Sequence, residues 1–172
     1  MPTHKENLNV TTVDQKTAVC LTSETHFTTE SHIKLRGFYV YRTVHPSNCV
    51  RGGSAVTIKE EISRHEVTKI EKEEFQVTSV KMKTTSGIIT VAATYSPPRH
   101  NLQIEDYLNL LQSFSGKFIF GGDFNSKNTH WGSRLTNPKD VNFTMLSKGV
   151  TVKYTLQGNQ HIGRQIEIRY QI

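Results

Sequence analysis

Three side chains able to hold a metal ion or handle a proton, Glu24, Tyr95 and Asp123, each close an apolar run of the chain. Strand ends are where a rigid sheet presents side chains to a ligand. Asn125 stands two residues beyond Asp123, and on an extended segment the two would face the same side. This set suits phosphodiester hydrolysis. That reaction needs a hard divalent cation held by carboxylates, a positioned water, and donors for the charge that builds on pentacovalent phosphorus. Glu24 could bind the metal and Asp123 could accept a proton from water. Asn125 could orient water or phosphate, and Tyr95 could donate to a phosphate oxygen. Taken singly these signals are weak. A glutamate after a strand is commonly a solvated turn residue, Tyr95-Ser96-Pro97-Pro98 reads equally as a plain loop, and Gly, Asp and Asn all favour turns. Together, in this order, they become specific.

The elements that must position these residues are mostly strands. Residues 17–22 read as a short buried strand, 38–44 as an aromatic and β-branched one, and 54–59 as a third, with a turn at Pro46, Ser47 and Asn48 between the last two. The charge-rich stretch 60–74 is expected as a loop or surface segment. Residues 75–83 alternate apolar and polar, which predicts a half-buried strand; a turn at 84–87 then leads into the apolar strand 88–94. Residues 102–114 carry the helical period, with Asn101 as the expected N-cap and Ser115-Gly116 as the stop. Residues 117–120 form a buried strand that delivers Gly121-Gly122-Asp123. Strands and hairpins followed by helix and strand predict a mixed α/β sandwich.

Composition bounds the possibilities. The chain has 172 residues, 35% hydrophobic and 21% charged, enough for one domain with a real core. A net charge of +6 is compatible with an anionic partner, nucleic acid foremost, and equally with a solvated basic surface. Cys20 and Cys49 have neither the number nor the spacing of a secreted framework, so free thiols, no disulfide-linked partner and an intracellular location are expected. Residues 1–10 lack the apolar core of a signal peptide, and no apolar stretch approaches the roughly 18 residues of a membrane span.

Four segments in order carry a resemblance: Ser23-Glu24-Thr25-His26, Arg51-Gly52-Gly53-Ser54-Ala55, Tyr95-Ser96-Pro97-Pro98 and Gly121-Gly122-Asp123-Phe124-Asn125. With the following Ser126 to Arg134, they resemble the endonuclease domain of jockey-like non-LTR retrotransposons, within the endonuclease/exonuclease/phosphatase superfamily. The match runs from about His4 to about Lys139. The resemblance implies a four-layer α/β sandwich that nicks DNA with Mg²⁺ (or Mn²⁺) and leaves a 3′-hydroxyl, working in the nucleus. It implies Glu24 as metal ligand, Tyr95 as transition-state donor, Asp123 as the group that activates water, and Asn125 as the group that orients water and phosphate. His130 and Trp131 would line the DNA groove; an exposed loop histidine and a core tryptophan are the alternatives.

The sequence departs from that pattern at both ends. The family opens with a strand carrying a catalytic Asn and closes with a Ser-Asp-His element, and neither stands in this chain. Two parts are therefore expected: residues 1–139 as a partial domain, and residues 140–172 as a divergent tail. Read one base earlier, codons permitted for this tail spell a stretch resembling the family's own, so an out-of-frame origin is expected; a tail encoded by a separate in-frame exon would refute it. The expected consequence is an endonuclease impaired by truncation, or a non-catalytic nucleic-acid-binding remnant.

Overall fold

The computed structural model describes residues 17–67, 69–125 and, as backbone, 166–169. Three strands make the smaller sheet: β1 (Val19–Ser23), β2 (Phe38–Thr43) and β3 (Ser54–Lys59), antiparallel in the order β1-β3-β2. The larger sheet is built on two nine-residue strands, β6 (Gln76–Thr84) and β7 (Gly87–Tyr95), joined by a tight hairpin at Thr85-Ser86. The helix α1 (Ile104–Ser113) carries the chain across to β8 (Phe118–Asp123), which pairs with β7 in parallel, as a helical crossover requires.

Alternation along the strands sends side chains to two cores. Val80, Val91 and Ala93 of the large sheet meet Val56 and Ile58 of β3 between the sheets. Val77 and Ala92 point the other way, toward Tyr107, Leu110 and Phe114 of the helical segment and the aromatic set Phe75, Phe118, Phe120 and Phe124. Ring centroids lie 5.6 Å apart for Phe114 and Phe120 and 5.0 Å apart for Phe120 and Phe124. Each fully buried side chain of this size contributes about 1.5–3 kcal/mol. The described residues thus stack helix on sheet on sheet, three layers of the expected sandwich. Hydroxyls also stitch the two sheets: Thr78 donates to Thr43 at 2.9 Å and lies 2.9 Å from Ser54 Oγ, and Thr43 donates to the Val77 carbonyl at 3.0 Å.

Several expectations need correction. The stretch 60–74 contains two short strands, β4 (Arg64–Glu66) and β5 (Ile70–Glu71), both antiparallel to β6. Their shortness and mostly polar or charged side chains hide the strand signal, because backbone pairing at a sheet edge needs no apolar alternation. β1 is half-buried rather than buried. The helix starts two residues later than Asn101 implied: Gln103 is the N-cap, and its N–H is accepted by the Asp106 carboxylate at 2.8 Å. β8 runs through both glycines to Asp123 instead of stopping at Phe120. From the tail, β9 (Ile166–Arg169) pairs antiparallel with β8. Cys20 and Cys49 are free thiols, and no helix among the described residues is long and apolar enough to cross a membrane.

Candidate active site

The parallel register of β7 and β8 pairs Thr94 with Gly122 and Tyr95 with Asp123, so both strands deliver their last residues to one edge. The strands approach so closely there that a Cβ on Gly122 would stand 1.9 Å from the Thr94 carbonyl oxygen, and its φ of +153° is one side chains rarely adopt. Glycine at 122 is therefore a condition for the Tyr95–Asp123 row. Beyond it, the Ser96 N–H donates to the Asp123 carbonyl at 2.9 Å. Asn125 completes the lock. Its N–H donates to Asp123 Oδ1 at 2.8 Å, and its side-chain amide donates to the Ser96 carbonyl at 3.0 Å. The chain is not extended here, since Asn125 has φ +49°. Asn125 and Asp123 come together because the backbone turns back on the carboxylate, and not through the strand alternation expected from their spacing.

Glu24 follows β1 in a left-handed backbone conformation, φ +55°, shared by His26. The His26 N–H donates to the Gly52 carbonyl at 2.8 Å and the Thr25 N–H to the Gly53 carbonyl at 3.3 Å. The Glu24 loop is thereby sewn to the Arg51-Gly52-Gly53 turn. Gly52 in turn packs against the Tyr95 ring, where a Cβ would come within 3.0 Å of Tyr95 Cε1 and 2.7 Å of Gln76 Oε1. Buried Gln76 brackets the same turn: its oxygen accepts the Gly53 N–H at 3.3 Å, and its amide donates to the Lys72 and Glu73 carbonyls.

These contacts bring Glu24, Tyr95 and Asp123 to one point. Burial pushes the Tyr95 phenol up to about 12, helped by the negative charges of Glu24 and Asp123 and by the hydrogen bond that the phenol donates to Glu24; Arg99 opposes them. Tyr95 is therefore a protonated donor across the physiological range. His26 Nε2 lies 3.9 Å from Glu24 Oε1, but both groups are partly exposed and the pair is weak. Beside the Tyr95 ring opens a cleft of about 160 Å³, lined further by His45, Arg51, Gly52, Pro97, Pro98 and Arg99. His130 and Trp131 lie outside the described residues. The sequence gives no sign of Gln76 or His45 as neighbours of the site. Neither carries a motif, and only the fold brings them against the Arg51–Gly53 turn.

A model of the endonuclease/exonuclease/phosphatase family matches residues 8–164. The chain belongs to this family. Among curated relatives it is 37% identical over 134 residues to the RNA-directed DNA polymerase from mobile element jockey of Drosophila melanogaster, covering 78% of this chain and 15% of that protein. It is 32% identical over 124 residues to the probable RNA-directed DNA polymerase from transposon X-element of the same species, covering 72% of this chain and 14% of that protein. The chain thus spans about a seventh of the length of these relatives. The endonuclease domain of TRAS1, a telomere-specific non-LTR retrotransposon, has the same fold with a TM-score of 0.70 at 18% identity, over 97% of this chain and 76% of that one. That likeness establishes the α/β sandwich of the endonuclease/exonuclease/phosphatase type.

Proposed function

We propose that this chain is a Mg²⁺-dependent (or Mn²⁺-dependent) DNA endonuclease domain of retrotransposon origin that cuts one strand and leaves a 3′-hydroxyl. The observation that carries this reading is the convergence of Glu24 and Asp123 on a protonated Tyr95. Family membership and the jockey resemblance support it. The donors fit the metal: carboxylates are the hard oxygen ligands of a small divalent cation, which commonly takes one or two of them and keeps its waters. Glu24 would hold the ion, which supplies charge neutralisation at the phosphate when bound.

This chain's own side chains do the rest. Asp123 accepts a proton from water as the water oxygen bonds to phosphorus; the P–O3′ bond breaks, and the leaving 3′-oxygen takes a proton from solvent to depart as the 3′-hydroxyl. The Tyr95 hydroxyl turns from Glu24 to a non-bridging phosphate oxygen and stabilises the charge that grows there. Asn125 shares its backbone N–H with Asp123, which holds the carboxylate in place, and its side chain pins the Ser96 loop. His130 and Trp131 would face the DNA groove, and the place of work would be the nucleus.

These 172 residues contain no Ser-Asp-His triplet, so by themselves they should nick weakly, and a second reading is a domain that binds nucleic acid without cutting it. A supercoiled-plasmid nicking assay with Mg²⁺ separates the two. Nicking lost in Asp123→Ala supports the enzyme. A salt-sensitive gel shift with no nicking in either protein supports the binding remnant.

A further inference from the structure

His45 is 1% exposed and lines the cleft beside Tyr95. Its Nδ1 accepts the Ser47 N–H at 3.1 Å and lies 3.3 Å from Cys49 Sγ. With Nδ1 accepting, the neutral ring must carry its hydrogen on Nε2. That Nε2 is buried and has no hydrogen-bond partner among the described residues. A buried N–H donor without an acceptor is costly, and native proteins rarely tolerate one unless a ligand or a water completes it.

The surroundings select the ligand. Arg51 and Arg99 line the same cleft, and both charges act on the His45 ring together with His100. Glu73 is the counter-charge, paired with Arg99 at 3.0 Å, but both members of that pair are half-exposed and Arg51 has no such partner described. An acceptor with negative charge would suit this set of donors. Its position narrows it further: the Tyr95 ring is a wall of this cleft, while the Tyr95 hydroxyl meets Glu24 at the proposed cleavage point. A polyanion whose charges repeat along a chain would reach both places at once.

We propose that this cleft is a subsite for a DNA backbone phosphate neighbouring the one that is cut, with His45 Nε2–H as the buried donor and Arg51 and Arg99 as its charge-bearing walls. This rests on the endonuclease reading, because it takes DNA as the substrate. Arg51 belongs to the turn that also holds the Glu24 loop, so filling the subsite ties placement of the strand to placement of the metal ligand. His45, which buries its ring and bonds Ser47, is a positioning residue for substrate and takes no part in bond breaking.

The test is ¹H–¹⁵N correlation of the histidine imidazoles, with Ca²⁺ in place of Mg²⁺ so that DNA stays intact, and with the His45 signals assigned by their loss in His45→Gln. Duplex DNA and inorganic phosphate are the two probes. Duplex should shift the His45 Nε2 signals. Arg51→Gln and Arg99→Gln should each weaken duplex binding and lower the slope of log affinity against log salt by about one. His45 signals unmoved at all duplex concentrations would overturn the subsite, as would salt slopes unchanged in both arginine variants. A shift with phosphate and none with duplex would reduce it to a free-anion site and refute the DNA assignment. A duplex-induced shift in a chain lacking Asp123-dependent nicking keeps the phosphate subsite and removes the enzyme; nicking that depends on Asp123 without the shift does the reverse.

Discussion

Tyr95 and Asp123 are register partners on the last rung of the parallel β7–β8 ladder. Their side chains share a location because two strands end level, and the strands end level because a glycine at 122 lets them close up on Thr94. Glu24 joins them from the other sheet, through a loop sewn to the Arg51–Gly53 turn. The site therefore depends on both sheets, with Gln76 and Gly52 as the joints between them.

Tyr95→Phe tests the hydroxyl alone, since the ring would stay against Gly52. Loss of one donor to a developing negative charge should slow nicking about 10²–10³-fold and leave duplex affinity nearly unchanged. The pH profile is a second check. The phenol is raised from 10.0 to about 12, so wild-type activity should not fall on Tyr95's account as pH passes 10. The same shift stabilises the fold fully below pH 10, and that contribution is lost as pH rises toward 12. An alkaline activity limb near pH 10 that vanishes in Tyr95→Phe would refute the assignment of a raised phenol.

Gly122→Ala should be among the most damaging small substitutions in the chain. The added methyl meets the main chain of Thr94, which cannot swing aside as a side chain could. A cost above about 4 kcal/mol, seen as loss of cooperative urea unfolding or of soluble protein, is expected. Gly116→Ala is the control. Nothing lies within 4 Å of a Cβ there, and only the positive φ of 76° is strained, so a cost of about 1 kcal/mol is expected.

Why some of this was readable from sequence and some was not follows from the same residues. The strands 54–59 and 38–43 announce themselves through β-branched and aromatic runs, and Asp123 through the glycines before it. The edge strands at 64–66 and 70–71 do not, because they are three and two residues long and mostly polar or charged, with Ile70 packed against the core. Asn125 meets Asp123 through a left-handed turn, which a period-two rule does not see. Gln76 and His45 could not be found at all. Their importance lies in which loop each touches, and those loops lie in other parts of the chain.

Gln76→Leu keeps the volume of the bracket and removes its hydrogen bonds. The buried Gly53 N–H loses its partner, at about 1–3 kcal/mol, while the carbonyls of the exposed Lys72 and Glu73 can turn to water. Thermal unfolding should drop by several degrees. Nicking should drop further than stability explains, because the Arg51–Gly53 turn carries the Glu24 loop. A variant with lowered stability and wild-type nicking would show that the turn holds its shape without Gln76.

His45 makes the fold sensitive to mild acid. Burial lowers its affinity for a proton below the usual 6.5, and the charges of Arg51, Arg99 and His100 lower it further, against Glu73. In the unfolded chain the same ring takes up a proton at its ordinary value. Stability from His45 is therefore complete above pH 6.5 and declines as pH falls below it, toward the depressed folded value. Urea unfolding midpoints measured from pH 7.5 down to 5 should fall in wild type and stay flatter in His45→Gln. Adding duplex with Ca²⁺ should reduce the wild-type slope, because a phosphate at Nε2 favours the protonated ring and offsets the two arginines. A wild-type slope identical to that of His45→Gln would mean that the ring is protonated equally well folded and unfolded, contrary to its burial beside two guanidinium groups.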